Sequence, residues 1–326
     1  MELVCPAGTP AALRTAVDAG AHAVYCGFAD ETNARNFPGL NFTPEDMAEA
    51  VAYAHARGAK VLVAINTFPR AGEQALWHIA LAQAEAARAD AVILADPGLL
   101  AHAAEHHPGL RLHLSVQAAA ANPDAINLYA SAFGVRRVVL PRVLSVQEIT
   151  AINRAIDIET EVFVFGGLCV MAEGRCSLSS YATGRSPNMN GVCSPASHVA
   201  YAQEGDELVA RLSGFTIHRS PAGSPAPYPT LCKGCFTSQD QSGHLFEDPV
   251  SLDAMQLLPQ LARAGVSALK IEGRQRSKSY VRNVVTAFRH AVDDIRAGRA
   301  ANIADLVALT EGQKQTQGAF ETKKWR

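Results

Sequence analysis

The stretch that decides the fold is KVLVAINTFPRAGEQALWHIALAQAEAARADAVILADPG, residues 60–98. It begins and ends with short apolar runs, KVLVAIN (60–66) and DAVILADPG (90–98), and the residues between them are rich in alanine. Continuous apolar runs are typical of strands buried on both faces of a parallel sheet, and an alanine-rich stretch is typical of a covering helix. The stretch therefore predicts a strand, a helix and a second, parallel strand.

The same unit recurs along the chain. Helix-like stretches such as TPEDMAEAVAYAHARG (43–58) and SVQEITAINRAI (145–156) separate eight apolar runs, at 2–8, 22–28, 60–66, 90–98, 111–118, 136–142, 161–167 and 267–274. Eight strand–helix units predict an α/β fold of the TIM type, a (β/α)8 barrel or a distorted form of one. The alternative is an open doubly wound sheet, although no Gly-x-Gly-x-x-Gly follows any of the runs.

The repeat is interrupted once. About 100 residues, rich in glycine, proline and cysteine, separate the seventh run from the eighth, and an insertion of this length is expected to be functional. We expect four segments: seven βα units (1–167), a cysteine-rich insertion between strands seven and eight (168–247), the last βα unit (248–310) and a loosely held polar tail (311–326). In the third segment, SLDAMQLLPQLARAG (251–265) is helix-like, and a long helix is expected over about 280–298.

The composition is that of a globular protein. Of 326 residues 48% are hydrophobic and 18% charged, and the net charge of −2 gives no general attraction for nucleic acid or acidic lipid. No segment reaches the roughly 18 consecutive apolar residues of a membrane span, so a cytoplasmic location is expected. In that reducing compartment, clustered cysteines are more typical of metal sites or chemistry than of disulfides.

The chain has seven cysteines. Cys5 and Cys26 lie inside apolar runs, where cysteine is most simply a small buried hydrophobe. The other five lie in loop sequence and suit zinc or an iron–sulfur cluster: Cys169, Cys176, Cys193, Cys232 and Cys235. Their spacing does not choose between these metals. Because Cys169 follows the seventh strand directly, a metal there would lie on the face where such barrels carry their active sites.

Polar residues at the ends of the predicted strands are candidates for substrate binding. They are Asn66, Gln117, Arg142, Lys270, Glu272 and Arg274. Alternation along the last strand places Lys270 and Glu272 on one inward face, where the structural alternative is a buried Lys–Glu bridge that closes the barrel. Arg142 and Arg274 could bind the carboxylates of a dianion, because a guanidinium matches a carboxylate in a bidentate way.

Several of these motifs occur together in a known family. FVFGGLCVMAEGRCSLSSYATGRSPN (163–188), GVCSP (191–195), PTLCKG (229–234) and VSALKIEGRQRSKSYV (266–281) resemble the collagenase-like peptidase family, peptidase family U32. Nearly the whole chain takes part, because ELVCPAG, AVYCGF, VLVAINT, ILADPG, LHLSVQA and VVLPR are similar to the family's strand motifs.

The resemblance implies a barrel-like domain and a 4Fe–4S cluster held by four cysteines, which map onto Cys169, Cys176, Cys193 and Cys232. It thus favours iron–sulfur over zinc. It is strongest with the branch of the family that acts in oxygen-independent ring hydroxylation during anaerobic ubiquinone synthesis. There the chain would form a heterodimer with a second, UbiV-like cluster protein, with prephenate as a candidate oxygen donor. Other members hydroxylate tRNA or rRNA bases.

Two features depart from the family pattern. Phe165 stands where peptidase-like members often have histidine, and Cys235 is an additional thiol that competes with Cys232 for the fourth ligand position. Peptidase activity is the function we least expect. HAAEH (His102, Glu105, His106) formally fits a zinc-peptidase pattern, but it lies where the N-terminal face of the barrel is expected. The remaining alternative is a non-catalytic metal-binding scaffold.

Overall fold

We describe the fold from a computed structural model that covers residues 1–171, 173–190, 193–224, 226–244, 246–310 and 314–321. The side chains of residues 189 and 190 lie outside the description, as do parts of the predicted insertion and tail. No helix in these residues is long and apolar enough to cross a membrane.

The barrel strands follow the predicted runs closely, and further short strands, which were not predicted, lie between and after them. In chain order they are β1 (Glu2–Pro6), β2 (Ala23–Cys26), β3 (Lys60–Ile65), β4 (Ala91–Leu94), β5 (Leu112–Leu114), β6 (Arg137–Val139), β7 (Glu159–Gly167), β8 (Val199–Glu204), β9 (Glu207–Leu212), β10 (Phe215–Pro221), β11 (Cys235–Ser238), β12 (Gln241–His244), β13 (Ser251–Asp253), β14 (Ala268–Ile271) and β15 (Gln315–Thr316). Strands β1 to β7 and β14 are all parallel, and β14 pairs with both β1 and β7. Within the described residues this closes an eight-stranded barrel and confirms the predicted TIM-type architecture.

Helices cover the outside of the barrel. They are α1 (Pro10–Asp18), α2 (Pro44–His55), α3 (Ala75–Ala86), α4 (Pro97–His106), α5 (Pro123–Phe133), α6 (Val146–Asn153), α7 (Leu178–Thr183), α8 (Pro187–Asn190), α9 (Leu258–Arg263) and α10 (Lys278–Arg296). Several begin with a capping side chain that accepts a backbone N–H: Thr9 before α1, Thr43 before α2, Asp96 before α4, Asn122 before α5 and Ser145 before α6. Asp96, which follows β4, therefore serves as the N-cap of α4.

Strand residues alternate between two apolar layers. The residues that point outward pack against the helices, and they include Cys5 and Cys26, each 0% exposed, as predicted for small buried hydrophobes. A second cluster lies inside the barrel: Val4, Ala23, Tyr25, Leu62, Ala64, Ala91, Ile93 and Ala268. Most of these are small, which leaves room for larger charged side chains at other inward positions.

A buried charge network joins strands across the barrel. Arg137 on β6 forms ion pairs with Glu2 at 2.5 Å, Glu159 at 2.6 Å and Glu161 at 3.2 Å. Glu161 also accepts a 2.6 Å hydrogen bond from Lys270 on β14. Buried charges are tolerated only when they are paired in this way. The network therefore links β1, β6, β7 and β14, the strands on both sides of the closure.

The segment between β7 and β14 builds small structures of its own. Strands β8 to β10 form an antiparallel sheet and β11 pairs with β12, while Ala182, Leu212 and Ile217 make a separate apolar cluster. The helix expected over 251–265 is wrong in its first part. Residues 251–253 form β13, antiparallel to β7, because β7 extends beyond the barrel and offers Gly166 and Gly167 as pairing partners. Helix α9 begins at Leu258, directly before a proline.

Part of the predicted polar tail is packed. Strand β15 pairs with β13 in parallel, and Ala319 and Phe320 are buried. Residues 311–313 and 322–326, which belong to the same predicted segment, lie outside the described residues.

The charge network gives a stability prediction. We expect Arg137→Leu to lower the free energy of unfolding by about 3–5 kcal/mol, because it leaves buried carboxylates without their counter-charge. The control is Arg299→Leu, which breaks an exposed pair with Asp294 and should cost about 1 kcal/mol or less. Urea unfolding followed by circular dichroism measures both values, and similar losses in the two variants would contradict this role of the network.

Candidate active site at the barrel mouth

The predicted ligand and substrate residues lie around one cavity. Its lining includes all ten of them: Asn66, Gln117, Arg142, Lys270, Glu272, Arg274, Cys169, Cys176, Cys193 and Cys232. The carboxyl ends of parallel strands meet at one edge of a barrel, so residues far apart in sequence converge there. The cavity is the place where the barrel mouth and the cysteine-containing segment meet.

A glycine allows the loop that carries Cys169 and Cys176 to pack directly against the barrel. Gly174 has φ +79°, and a Cβ atom at this position would lie 1.9 Å from the carbonyl oxygen of Gln117. Only glycine allows this close approach of two backbones together with a positive φ. Cys169 and Cys176 flank the contact along the chain, and the Asn188 amide donates a 3.0 Å hydrogen bond to the Cys176 carbonyl. The seventh strand and this contact thus fix two of the four thiols.

Two of the thiols, those of Cys169 and Cys232, lie in an environment that disfavours the thiolate. Burial raises the pKa of Cys169, and the nearby Glu173 carboxylate raises it further against the opposing effect of Arg142. Burial also raises the pKa of Cys232 to about 12, with further contributions from Cys193 and Cys176. These mutual effects place the thiols within electrostatic range of one another. Without a bound cation, the thiols at Cys169 and Cys232 stay protonated at neutral pH.

No three cysteine, histidine or acidic side chains in the described part of the chain converge closely enough to bind a single metal ion. A mononuclear zinc site needs its ligands about 2.0–2.3 Å from one ion. The four thiols instead surround a common space, and Cys193 acts electrostatically on both Cys169 and Cys232.

Arg142 is paired with a carboxylate from the cysteine loop. Its Nη1 donates to Glu173 Oε1 at 2.5 Å, and its guanidinium carbon lies 3.5 Å from the centroid of the Phe163 ring. The second oxygen of Glu173 and Nε of Arg142 are buried without a hydrogen-bond partner in the described residues. Burial opposes the charge on Arg142, but Glu173 together with Cys169 and Glu272 outweighs this effect and raises the pKa of Arg142. Arg142 is therefore a cation that Glu173 already neutralises.

The structural alternative, a buried Lys–Glu bridge that closes the barrel, forms with Glu161 of β7 in place of Glu272. Lys270 is buried and points inward as predicted, but it bonds to Glu161 and lies 3.8 Å from the centre of the Tyr25 ring. Glu272 instead accepts a 3.1 Å hydrogen bond from the backbone N–H of Gly167. Burial opposes ionisation of Glu272, yet Arg35 and Arg142 outweigh it and lower its pKa. Glu272 follows the end of β14 and lines the same cavity as Lys270, but its carboxylate accepts from Gly167 and does not pair with Lys270.

Four charged or aromatic residues of the lining were not among the predicted ones: Tyr25, Arg35, Phe163 and Glu173. Tyr25 and Phe163 carry a sequence signal, since each is an aromatic at an inward position of its strand. Glu173 lies between two of the predicted thiol ligands, where an acidic residue stands out. Arg35 follows β2 in a loop that has no pattern of its own.

Two other predicted features lie away from the cavity. Cys235 is exposed on β11, opposite His244, and does not line the cavity, whereas Cys232 does. Phe165 is 1% exposed and packs against Tyr280 and Phe288, so the histidine of peptidase-like members would occupy a core position here.

The HAAEH residues lie on α4. The His102 ring stacks on His78 and His106, at centroid distances of 3.7 and 4.2 Å, and the group lies outside the cavity lining.

Comparisons with known proteins agree on one family. The family model described as peptidase family U32 matches residues 8–323. The tRNA hydroxylation protein P of Escherichia coli K12 is 34% identical over 94% of this chain and 71% of its own. The 23S rRNA 5-hydroxycytidine C2501 synthase of the same strain is 30% identical over 97% of this chain and 42% of its own. A collagenase of Porphyromonas gingivalis W83 is 26% identical over 90% and 65%.

Solved structures show a weaker likeness. The U32 peptidase Mk0906 has a TM-score of 0.43 and 20% identity, over 50% of this chain and 68% of that one.

The Gly174 contact gives a prediction about the cysteine loop. Gly174→Ala should destabilise the protein by about 2 kcal/mol or more and expose the Cys169 thiol, because the loop must move off Gln117. Gly223→Ala is the matched control, since Gly223 has φ +80° but nothing within 4 Å of an added Cβ. Urea unfolding and the rate of thiol modification under native conditions test this. Equal behaviour of the two variants would show that the close contact does not hold the loop.

Proposed function

The chain belongs to peptidase family U32, and we propose that it is the iron–sulfur subunit of an oxygen-independent hydroxylase that acts on the aromatic ring of a ubiquinone precursor. The observation that carries this proposal is the common cavity of four thiols and the polar residues at the strand ends. Family relatives named for tRNA and rRNA hydroxylation support the reaction class.

The thiols fit a 4Fe–4S cluster. Such a cluster needs four thiolates, and Cys169, Cys176, Cys193 and Cys232 line one cavity. The resemblance of the cysteine motifs to the family favours this cluster over mononuclear zinc. Cys232 is the better candidate for the fourth ligand, because Cys235 lies outside the lining. When bound, the cluster would supply one-electron redox chemistry beside the substrate.

The residues around the thiols suit that role. Arg142 and Arg35 interact electrostatically with the thiols, so they would partly balance the negative charge of a thiolate-bound cluster. Nearby charge and solvent exposure set the potential of such clusters. Glu173 in turn holds Arg142 in place.

The walls of the cavity suit a flat aromatic ring. Tyr25 and Phe163 contribute aromatic surface, and Ala64, Ile93 and Val139 contribute aliphatic surface. Aromatic rings favour offset or edge-on contact with such side chains. The arginines of the lining suit an anionic second substrate, and prephenate is our candidate for the oxygen donor.

Ubiquinone precursors are the first choice of substrate because the sequence motifs resemble the branch of the family represented by the ubiquinone-biosynthesis protein UbiU. In that branch the partner is a UbiV-like protein, and we propose the same heterodimer here. The second candidate is an RNA base, which the names of the curated relatives favour.

Metal analysis tests the cluster. Protein purified without oxygen should contain about four iron and four sulfide per chain. Cys232→Ser should lose more than half of both, because it removes a ligand, while the matched variant Cys235→Ser should keep them. Stoichiometric zinc without iron would refute the cluster, and iron loss confined to Cys235→Ser would reassign the fourth ligand.

A deletion strain tests the substrate. Grown without oxygen, it should accumulate an unhydroxylated quinone precursor and keep its RNA modifications, as measured by mass spectrometry of lipids and of digested RNA. Normal quinone together with a missing hydroxylated base would reject the first candidate and support the second. A plasmid that expresses the Cys235→Ser variant should restore quinone, and Cys232→Ser should not.

A further inference from the structure

Arg274 is a buried cation that lines the cavity. Arg274 is 6% exposed and follows β14 at the barrel mouth. Within the described residues, its guanidinium makes one hydrogen bond, from Nη1 to Asn33 Oδ1 at 2.7 Å. The guanidinium carbon also lies 5.6 Å from the centre of the Tyr25 ring. Asn33 is neutral, so this hydrogen bond does not balance the charge.

The other buried cations in the cavity and next to it are paired with carboxylates. Lys270 pairs with Glu161, Arg137 with three carboxylates and Arg142 with Glu173. None of the described carboxylates forms an ion pair with Arg274, and Glu272, two residues earlier, bonds to Gly167 instead. Burial lowers the pKa of Arg274 to about 10, so it is still charged at neutral pH. Glu272 acts on Arg274 electrostatically but does not form an ion pair with it, and a buried cation that faces a cavity without an ion pair indicates an anionic ligand.

The structure holds Arg274 firmly in this position. Asn33 is 1% exposed, and its amide nitrogen donates to the Phe28 carbonyl at 3.1 Å and to Asn41 Oδ1 at 3.0 Å. The amide is thus oriented with its oxygen toward Arg274. On the other side, a Cβ at Gly8 would lie 2.0 Å from the Arg274 carbonyl oxygen, so the backbone is tightly packed. The guanidinium is pre-organised, which lowers the entropy cost of binding a ligand.

We propose that Arg274 binds the carboxylate of a small organic substrate, and that Asn33 positions it. With Nη1 held by Asn33, the edge formed by Nε and Nη2 suits two parallel hydrogen bonds to one carboxylate. Arg35 also lines the cavity and adds positive potential. Arg142 is the weaker candidate for this carboxylate, because Glu173 already neutralises it. This inference rests on the proposed function in one point only, namely that the bound carboxylate belongs to a substrate.

Equilibrium binding tests the subsite without turnover. Benzoate, orthophosphate and sulfate are titrated into anaerobically purified protein by calorimetry, with thermal unfolding as a second measurement. We expect benzoate to bind more tightly than either inorganic anion. Arg274→Gln should weaken benzoate at least about tenfold, as expected for loss of a charge-assisted pair. Arg276→Gln, which changes an exposed arginine outside the lining, should bind as the wild type does.

Further variants compare Arg142 with Arg274 and replace Arg274→Gln if that variant does not fold. Arg142→Gln should weaken benzoate less than Arg274→Gln does. If Arg274→Gln does not fold, Arg274→Lys keeps the charge but loses the two-point contact, and it should bind benzoate more weakly than the wild type. Unchanged binding in the Arg274 variants, loss confined to Arg142→Gln, or a preference for orthophosphate would overturn the assignment. If the deletion strain makes normal quinone, the proposed function fails but the binding result for Arg274 still stands. Failure of the proposed function can therefore be told apart from failure of this inference.

Discussion

The pairing of β14 with both β7 and β1 is the constraint on which the rest of the structure depends. This short strand comes from the last part of the chain and closes a ring that the first 167 residues leave open. The chain between β7 and β14 must therefore leave from the carboxyl end of one strand and return to the amino end of the strand beside it. Its cysteines are brought to the barrel mouth by that path, and the Gly174–Gln117 contact anchors it there.

Closure also explains why the interior holds charge. Two of the barrel-closing strands contribute Glu161 and Lys270, and β6 adds Arg137. These side chains pair across strands that are distant in sequence, so they connect the first, middle and last parts of the barrel. Next to this network the lining becomes aromatic and cationic, and the centre of the Tyr25 ring lies 3.8 Å from Lys270 Nζ and 5.6 Å from the guanidinium carbon of Arg274. The same strands thus carry both stabilising ion pairs and groups that line the cavity.

Much of the fold and of the candidate site could be predicted from the sequence, because both depend on local patterns. Buried parallel strands have continuous apolar sequences, and the eight runs are therefore recognisable in the sequence. Strand ends on one side of a barrel must converge, which predicts that Asn66, Gln117 and Arg142 lie close together.

The other features depend on partners far away in the chain. The pairing of Lys270 with Glu161 in place of Glu272, the neutralisation of Arg142 by Glu173 and the β13 pairing with β7 all arise from contacts that no local pattern records. Cysteine spacing likewise says nothing about which thiols share a space; Cys232 and Cys235 are three residues apart, yet only Cys232 lines the cavity.

The central claim is that the four thiols at the barrel mouth hold an iron–sulfur cluster beside the substrate cavity. Anomalous diffraction at the iron absorption edge, from crystals grown without oxygen, tests it most directly. We predict iron density inside the cavity, bonded to the sulfurs of Cys169, Cys176, Cys193 and Cys232 and next to Arg142. A zinc signal at these sulfurs, or iron bound through Cys235 outside the cavity, would contradict the account.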